Sequence, residues 1–250
     1  MQRKLFLAVV ENGAAETDAA LATLPLDIHP VPVSRIVRCA CRRELAETAA
    51  RMPRFDWLLL SSANAATIFF ELVNIAPTAF SPRIACVGPD TAARVQALGY
   101  RVDFISPEHR GDAFAEAFAQ AHGEEAVSVL LPRPEKMGSH LAERLHDAGI
   151  NVSQLVLYRT EALSPDSMPD LHFDPADLFA FLSPSGVKHF LRRYAIPQGA
   201  DVFAIGPSTA AALSESWKGS VHTAQASSRN GLLDAVRAFL DNGRIVKEQT

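Results

Sequence analysis

Short apolar runs alternate with amphipathic segments along the whole chain. Most runs are too short for helices and lack the polar–apolar alternation of a half-exposed strand, so they predict strands buried on both faces. The segments between them, such as residues 91–98, 140–148 and 231–240, carry apolar residues at helical spacing. Strands that alternate with helices predict an α/β fold with parallel sheet. The predicted strands are residues 5–10, 57–60, 84–87, 127–131, 155–157, 178–182 and 202–205.

Two turn motifs occur twice at similar spacing. Ser62 opens the tetrapeptide Ser-Ala-Asn-Ala, and Ser183, 121 residues later, opens Ser-Pro-Ser-Gly. The segment Gly-Pro-Asp-Thr-Ala, which contains Thr91, recurs 118 residues later as Gly-Pro-Ser-Thr-Ala, which contains Thr209. Each motif follows a predicted strand and opens a predicted helix. The chain is therefore predicted to contain two copies of one α/β unit.

The arrangement of the two copies is open on spacing alone. The predicted strands at residues 5–10 and 127–131, each followed by a helix, form a fainter additional pair. The copies are either in tandem or interleaved, and in the second case the N-terminal strand completes the C-terminal half.

Two segments have the character of linkers, residues 30–36 and residues 158–165. If the chain crosses between domains at both, residues 37–157 form an inserted α/β domain. Residues 1–36 and 158–250 then form a discontinuous α/β domain.

The repeated turns place hydroxyl groups where α/β sheets bind ligands. Such ligands lie beyond the carboxyl ends of the strands, and the free N–H groups and dipole of the following helix attract anions. Two domains whose turns face one cleft would hold several carboxylates or phosphates. The alternative is structural, because a single motif of either kind is more often a turn or a helix start, with its threonine as a cap. The candidate ligand-binding residues are Ser62, Thr91, Ser183, Ser185 and Thr209.

Other candidate chemistry is sparse. Arg133 follows a predicted buried strand and either pairs with a carboxylate or is a solvated loop arginine. The histidines are scattered without metal-ligand spacing, and no phosphate-loop, dinucleotide, nucleophile-elbow or zinc-protease motif occurs. The sequence therefore predicts a ligand cleft without a metal and without an obvious nucleophile.

Composition and charge narrow the class of protein. A chain of 250 residues is long enough for two domains, and a formal net charge of −4 gives no basic field for nucleic acid. Three cysteines, Cys39, Cys41 and Cys86, are too few for a disulfide framework and are expected to be reduced thiols. The apolar start is too short for a signal sequence, and no apolar stretch is long enough to span a bilayer. We expect a soluble, cytoplasmic protein that binds neither nucleic acid nor membrane.

Six segments between about residues 57 and 239 resemble, in their order, the uroporphyrinogen-III synthase family. Four contain the repeated turns, one contains Arg133, and one is the Tyr-Arg-Thr segment that begins at Tyr158. The resemblance implies two flavodoxin-like parallel-sheet domains joined by a two-stranded linker. It also implies an active site in the cleft between the domains, with no cofactor.

The resemblance further implies a reaction in haem biosynthesis. The substrate would be hydroxymethylbilane, a linear tetrapyrrole with eight carboxylates, which is closed with loss of water and inversion of its last ring to give uroporphyrinogen III. Such an enzyme is a cyclising lyase that positions its substrate more than it supplies strong acid. We expect functional coupling to hydroxymethylbilane synthase, and nothing in the sequence demands more than a monomer.

Residue roles follow from the same match. Tyr158 matches a family tyrosine that is placed to assist departure of the hydroxyl, since a phenol can donate a hydrogen bond to a leaving oxygen. The structural alternative is a tyrosine that only packs at the domain junction. The residues that match substrate-binding positions are Ser62, Thr91, Arg133, Ser183, Ser185 and Thr209.

The first predicted strand departs from the family pattern. Family members usually end it in a Thr-Arg-Pro-like turn, whereas this chain has Val9, Val10, Glu11 and Asn12 there. The change removes a cation and adds an acid near the expected anion site. It motivates a second hypothesis, a non-catalytic two-domain module that binds a small anionic ligand. A third hypothesis, a nucleotide or flavin protein, rests on fold class alone.

Overall fold

The structure is a computed structural model that describes residues 3–11, 23–106, 111–122, 126–137 and 140–248, the last seven of them by backbone only. The fold is mixed α/β, with mostly parallel sheet and helices, as the alternating pattern predicts. The strands are β1 (Lys4–Glu11), β2 (Asp27–Arg38), β3 (Trp57–Leu60), β4 (Arg83–Cys86), β5 (Phe104–Ile105), β6 (Ser128–Pro134), β7 (Asn151–Ala162), β8 (Leu178–Phe181), β9 (Asp201–Ala204) and β10 (Val221–Thr223). The helices are α1 (Arg42–Arg51), α2 (Ala63–Val73), α3 (Pro89–Ala97), α4 (Gly111–His122), α5 (Leu141–Asp147), α6 (Pro184–Phe190), α7 (Pro207–Ser214) and α8 (Arg229–Glu248).

The chain divides into two compact units. The first unit is Met1–Ile36 with Thr160–Thr250, and the second unit is Val37–Arg159. The N-terminal strand β1 pairs with β8 in the first unit, and β6 pairs with β3 in the second unit. Tyr158 belongs to the second unit.

The first unit has the strand order β10-β9-β8-β1-β2, and these neighbours are parallel. Side chains alternate between the two faces of a strand, and both faces of β1 are buried here. Phe6 packs on one face with the ring of Phe179 at 5.6 Å between centroids, while Leu5 and Leu7 pack on the other face. Burial on both faces explains why β1 appears in the sequence as an uninterrupted apolar run.

The second unit has the strand order β7-β6-β3-β4-β5, and its neighbours are also parallel. One face is covered by α4 and α5, where Trp57 and Phe118 meet edge to face at 5.2 Å between centroids. Phe69 of α2 is fully buried.

The two segments predicted as linkers lie in long strands. Residues 30–36 lie inside β2, and residues 158–162 are the last part of β7. Both strands have twelve residues and almost the same sequence of buried and exposed positions. The strands β5 and β10, which lie at the ends of these orders, have no apolar run long enough to predict them.

The repeat extends to the pairs β1–β2 and β6–β7. Lys4 opposes Asp27 at the start of the first pair, as Ser128 opposes Asn151 in the second. Each pair also contains one register shift at the same place, after Val9 in β1 and after Arg133 in β6. The duplication predicted from the turns therefore includes strand register. None of the helices in the described ranges is long and apolar enough to cross a membrane.

Candidate functional site

The two serine turns are built in the same way. Ser62 is the N-cap of α2, and its Oγ accepts the Ala65 N–H at 3.1 Å. Ser183 is the N-cap of α6, and its Oγ accepts the Gly186 N–H at 3.0 Å. Each cap satisfies one of the free N–H groups at a helix start. The rest of the helix N-terminus remains a partial positive charge at the carboxyl end of a strand.

The two Gly-Pro turns are built differently from the serine turns. Gly88 and Gly206 are the N-caps of α3 and α7, each followed by a proline in the first turn and neither with a side-chain cap. Thr91 and Thr209 lie three residues after these caps, so the alternative that they only cap their helices is wrong. The threonines are buried, with 5% and 1% of their surface exposed, and neither hydroxyl forms a hydrogen bond to the described part of the chain.

A close approach explains the glycine of the second Gly-Pro turn. A Cβ atom added at Gly206 would lie 2.4 Å from Ser227 Oγ and 3.3 Å from Ser227 Cβ. The backbone of Gly206 is extended, so it is this neighbour, not the dihedral angle, that favours glycine.

Tyr158 lies beside the first serine turn. It is 4% exposed, and its Oη lies 3.3 Å from Ser62 Oγ, although 96 positions separate the two residues. Burial raises the pKa of the Tyr158 phenol above its ordinary value, and the hydrogen bond with Ser62 lowers it by a smaller amount. The phenol therefore stays protonated at neutral pH and remains able to donate a hydrogen bond.

The backbone around Tyr158 is held from two sides. The Glu135 N–H donates to the Tyr158 carbonyl at 2.7 Å, next to the register shift that sets Pro134 opposite Tyr158. The Cys39 N–H donates to the Leu157 carbonyl at 2.8 Å. The phenol thus projects from a strand whose main chain is fixed on both sides, which favours a defined position for its oxygen.

Arg133 is half-buried in β6 and turns onto its own chain. One terminal nitrogen donates to the carbonyls of Pro134 and Glu135, both at 2.8 Å. Its Nε is buried without a partner among the described residues. Arg133 thus lies in a strand and not in a loop, and its guanidinium binds backbone carbonyls of its own chain, with no carboxylate partner among the described residues.

The structure brings some of the predicted site residues together within each unit. Ser62 meets Tyr158 in the second unit, and Ser183 Oγ lies 3.2 Å from the exposed Ser185 Oγ in the first unit. Within the described part of the chain, neither Thr91 nor Thr209 forms a hydrogen bond with another predicted site residue. No group of three or more metal-ligating side chains occurs in the residues that the structure describes.

One position was missed by sequence reasoning, and the strand register identifies it. Val10 opposes Ser34 after the shift in the first unit, just as Pro134 opposes Tyr158 in the second. Ser34 is the structural counterpart of Tyr158 and is equally buried. A comparison of residues 27–38 with 151–162 could have found it, but their sequences share little beyond apolar residues at the same places.

Comparison with known proteins points to one family. The sequence model described as uroporphyrinogen-III synthase HemD matches residues 15–234. A uroporphyrinogen-III synthase from Synechococcus elongatus is 29% identical over 250 residues, which covers 93% of this chain and 86% of that protein.

Solved structures share the fold. A uroporphyrinogen-III synthetase from Helicobacter pylori has a TM-score of 0.66 at 17% identity, covering 95% of this chain and 99% of that chain. A mutant uroporphyrinogen III synthase from Thermus thermophilus has a TM-score of 0.58 at 15% identity, covering 98% and 99%. At these identities the likeness is one of fold.

Proposed function

The chain belongs to the uroporphyrinogen-III synthase family, and we propose that Tyr158 and the strand-end hydroxyl groups carry out its reaction on hydroxymethylbilane. The activity is that of a cyclising lyase in tetrapyrrole synthesis. The family implies hydroxymethylbilane as the substrate. The residues that act on it are the proposal.

The contact between Tyr158 and Ser62 is the observation that carries the proposal. A phenol fixed by its backbone, buried and protonated at neutral pH is a suitable donor to a departing hydroxyl. Departure of that hydroxyl as water leaves an electrophilic carbon, which a pyrrole carbon then attacks. The protein contributes position and hydrogen bonds to this step, and positioning alone can supply much of a rate enhancement.

Helix N-termini are the proposed sites for the substrate carboxylates. The helices α2, α3, α6 and α7 each begin directly after the carboxyl end of a strand. Ser62, Thr91, Ser183, Ser185 and Thr209 add hydroxyl groups at these starts. Each carboxylate held at an exposed helix start gains about 0.3–1 kcal/mol, so several together are needed to fold a flexible tetrapyrrole. Arg133 is the weakest member of this set because its guanidinium already binds two carbonyls.

The finer architecture is part of the proposal. In each unit we propose a flavodoxin-like domain. The order β2-β1-β8-β9-β10 of the first unit supports this because, numbered along the chain, it is the doubly wound order 2-1-3-4-5. The order β7-β6-β3-β4-β5 of the second unit is 5-4-1-2-3 along the chain, which is the same arrangement circularly permuted. We propose boundaries near residues 37 and 158, a two-stranded linker, and a substrate that contacts both domains. Cytoplasmic location and coupling to hydroxymethylbilane synthase remain predictions.

A coupled assay tests the function. Hydroxymethylbilane is generated in situ, the protein is added, and the oxidised products are separated into uroporphyrin I and uroporphyrin III. Type I is the product of spontaneous closure, so a shift to type III establishes the activity of this chain. Type I alone from folded protein would contradict it.

The atypical end of the first strand favours the second candidate function, a non-catalytic module for a small anionic ligand. The strand register places Val9 where the second unit has Arg133, and Glu11 is exposed at the end of the strand. This candidate predicts tight binding of uroporphyrinogen with no change in the ratio of type III to type I product.

A further inference from the structure

Three groups form a line at the start of α2. The Ala65 N–H donates to Ser62 Oγ at 3.1 Å, and Ser62 Oγ lies 3.3 Å from Tyr158 Oη. The Ser62 hydroxyl is half-buried and makes no other hydrogen bond with the described residues. The line thus runs from a helix N-terminus, through one hydroxyl, to the phenol that we place at the reaction.

Either hydroxyl can donate in the second hydrogen bond, and the surroundings of Ser62 favour Ser62 as the donor. Ser62 Oγ already accepts the Ala65 N–H, and Tyr158 Oη is the acceptor within reach of its own hydrogen. The N–H bond and the positive end of the helix draw electron density from Ser62, which makes its hydroxyl a better donor. If Ser62 donates, the hydrogen of Tyr158 is left for a ligand.

We propose that Ser62 is a positioning residue that donates to Tyr158 Oη and thereby directs the phenol hydrogen to the departing hydroxyl of the substrate. The inference rests on the proposed function and deepens it. The Tyr158 proton moves to the departing oxygen as the C–O bond breaks, and water leaves. The phenolate recovers a proton from the unsubstituted α-carbon of the last pyrrole ring, which loses its hydrogen when it forms the final C–C bond of the inverted ring, while Ser62 keeps its own proton throughout.

We call the hydrogen-bonded line from the Ala65 N–H through Ser62 Oγ to Tyr158 Oη the relay. The first unit shows which residues it requires. Ser183 caps α6 in the same way, but its neighbour is the Ser185 hydroxyl, and Ser34 stands at the place of Tyr158. A capping serine alone therefore does not make the relay. The contact with a buried phenol does, and it occurs at Ser62.

Three substitutions of Ser62 separate the relay from the cap. Ser62→Thr keeps a cap and a donor, so we expect nearly full kcat. Ser62→Ala removes both and is expected to lower kcat about three- to tenfold, the loss of one hydrogen bond. Ser62→Asp keeps a strong cap but can only accept, so it reverses the hydrogen bond with Tyr158 and is expected to lower kcat at least as much as Ser62→Ala. Any repulsion between its carboxylate and the substrate appears in KM.

A double-mutant cycle with Tyr158→Phe supplies the decisive test. If Ser62 acts through Tyr158, Ser62→Ala has little further effect on kcat once the phenol is gone. Thermal unfolding of Ser62→Ala and Ser183→Ala measures the loss of a cap in each unit and should show similar decreases in Tm.

Two results would overturn the relay. One is a kcat of Ser62→Asp equal to that of the wild-type protein, which would assign Ser62 to helix capping alone. The other is an effect of Ser62→Ala on kcat that is equally large with and without the Tyr158 hydroxyl, which would make Ser62 act independently. Both leave the proposed function standing, because that function depends on type III product from the wild-type chain.

Discussion

The two units share a sheet order and differ at one buried position. After the same register shift, β7 presents Tyr158 and β2 presents Ser34. The apolar residues just before them, Leu157 and Val33, are buried in both strands. The packing of the duplicated unit has thus been kept, whereas the polar group at its strand end differs. Chemistry is expected in the unit with the phenol, and the other unit is expected to bind without reacting.

A second difference lies at the helix starts. The Gly-Pro turn of α3 has the acidic Asp90 at the position where α7 has Ser208. An acid at the start of a helix already uses the positive end of the dipole that a substrate carboxylate would use. The first unit therefore offers the more favourable anion site at this turn, and the second unit offers the reacting phenol.

The largest expected effect comes from the difference between Tyr158 and Ser34. Tyr158→Phe removes the proposed donor and should lower kcat about a hundredfold or more, the range for general acid catalysis. Ser34→Ala changes the equivalent buried position of the first unit and should leave kcat within about twofold, since Ser34 has no place in the proposed reaction. Steady-state kinetics with product separation measures both.

The results for Tyr158→Phe and Ser34→Ala distinguish a catalytic role of Tyr158 from a role of both buried positions in folding. Full activity of Tyr158→Phe would remove Tyr158 from the reaction, although the enzyme class would stand. A comparable loss in both variants would instead indicate that the buried strand positions matter for folding. Thermal unfolding of both proteins distinguishes a folding defect from a catalytic one.

Much of this comparison could be predicted from the sequence, and the rest depends on tertiary contacts. The strands β3, β4, β8 and β9 are apolar runs because both faces are covered. In contrast, β2 contains Pro30 and Pro32, and the sequence predicts a linker there. Proline has no backbone N–H to donate to a neighbouring strand, so within sheets it is usually confined to edge strands. The duplicated turns can also be predicted from the sequence, because each is a short motif of neighbouring residues.

The contact between Ser62 and Tyr158, which defines the candidate site, could not be predicted from the sequence. Ser62 is predicted as a site residue from the repeated turn and Tyr158 from the family resemblance, but no local pattern places the two side by side. Their contact depends on the pairing of β3 with β6 and of β6 with β7. The burial of Thr91 and Thr209 was also not predictable, since both positions were equally consistent with exposed caps.

A smaller effect is expected at the two threonines, and it tests whether both units hold the substrate. Thr91→Val and Thr209→Val keep the side-chain shape and replace a hydroxyl that has no partner in the described chain. Each should raise KM about fivefold, the value of one hydrogen bond. The Tm should stay nearly the same, because neither hydroxyl forms a hydrogen bond with the described residues that the substitution would remove.

Thr67→Val provides a matched control for the threonine variants. The Thr67 hydroxyl donates to the Ala63 carbonyl at 3.0 Å and accepts from Arg94 at 2.8 Å. Loss of both bonds, one of them from a charged group, should cost about 2–3 kcal/mol of stability with KM unchanged. An increase in KM at only one of Thr91 and Thr209 would assign substrate binding at these turns to one unit. Lower Tm in both threonine variants, without a change in KM, would make the hydroxyls structural.

The smallest expected effect concerns stability against pH. His189 of α6 occupies the place that Ile68, fully apolar and buried, occupies in α2, counted from the capping serines. Burial, followed by the charge of Arg192, lowers the pKa of His189 below its ordinary value of 6.5. The unfolded chain therefore binds more protons than the folded chain once the pH falls below about 6.5. Stability is expected to fall through this range and to level off below the folded-state pKa.

Replacing His189 by isoleucine, the residue at the equivalent place in α2, removes its contribution to the pH dependence of stability. The free energy of unfolding of His189→Ile should differ less between pH 5 and pH 8 than that of the wild-type chain. The decrease in this difference is the contribution of His189. Urea unfolding at several pH values measures the slope, which reports the difference in bound protons directly. Parallel curves for the two proteins would show that other groups govern acid sensitivity. A flatter curve would show that the two units, alike in fold, differ in their response to acid because one helix carries an imidazole where the other carries a hydrocarbon.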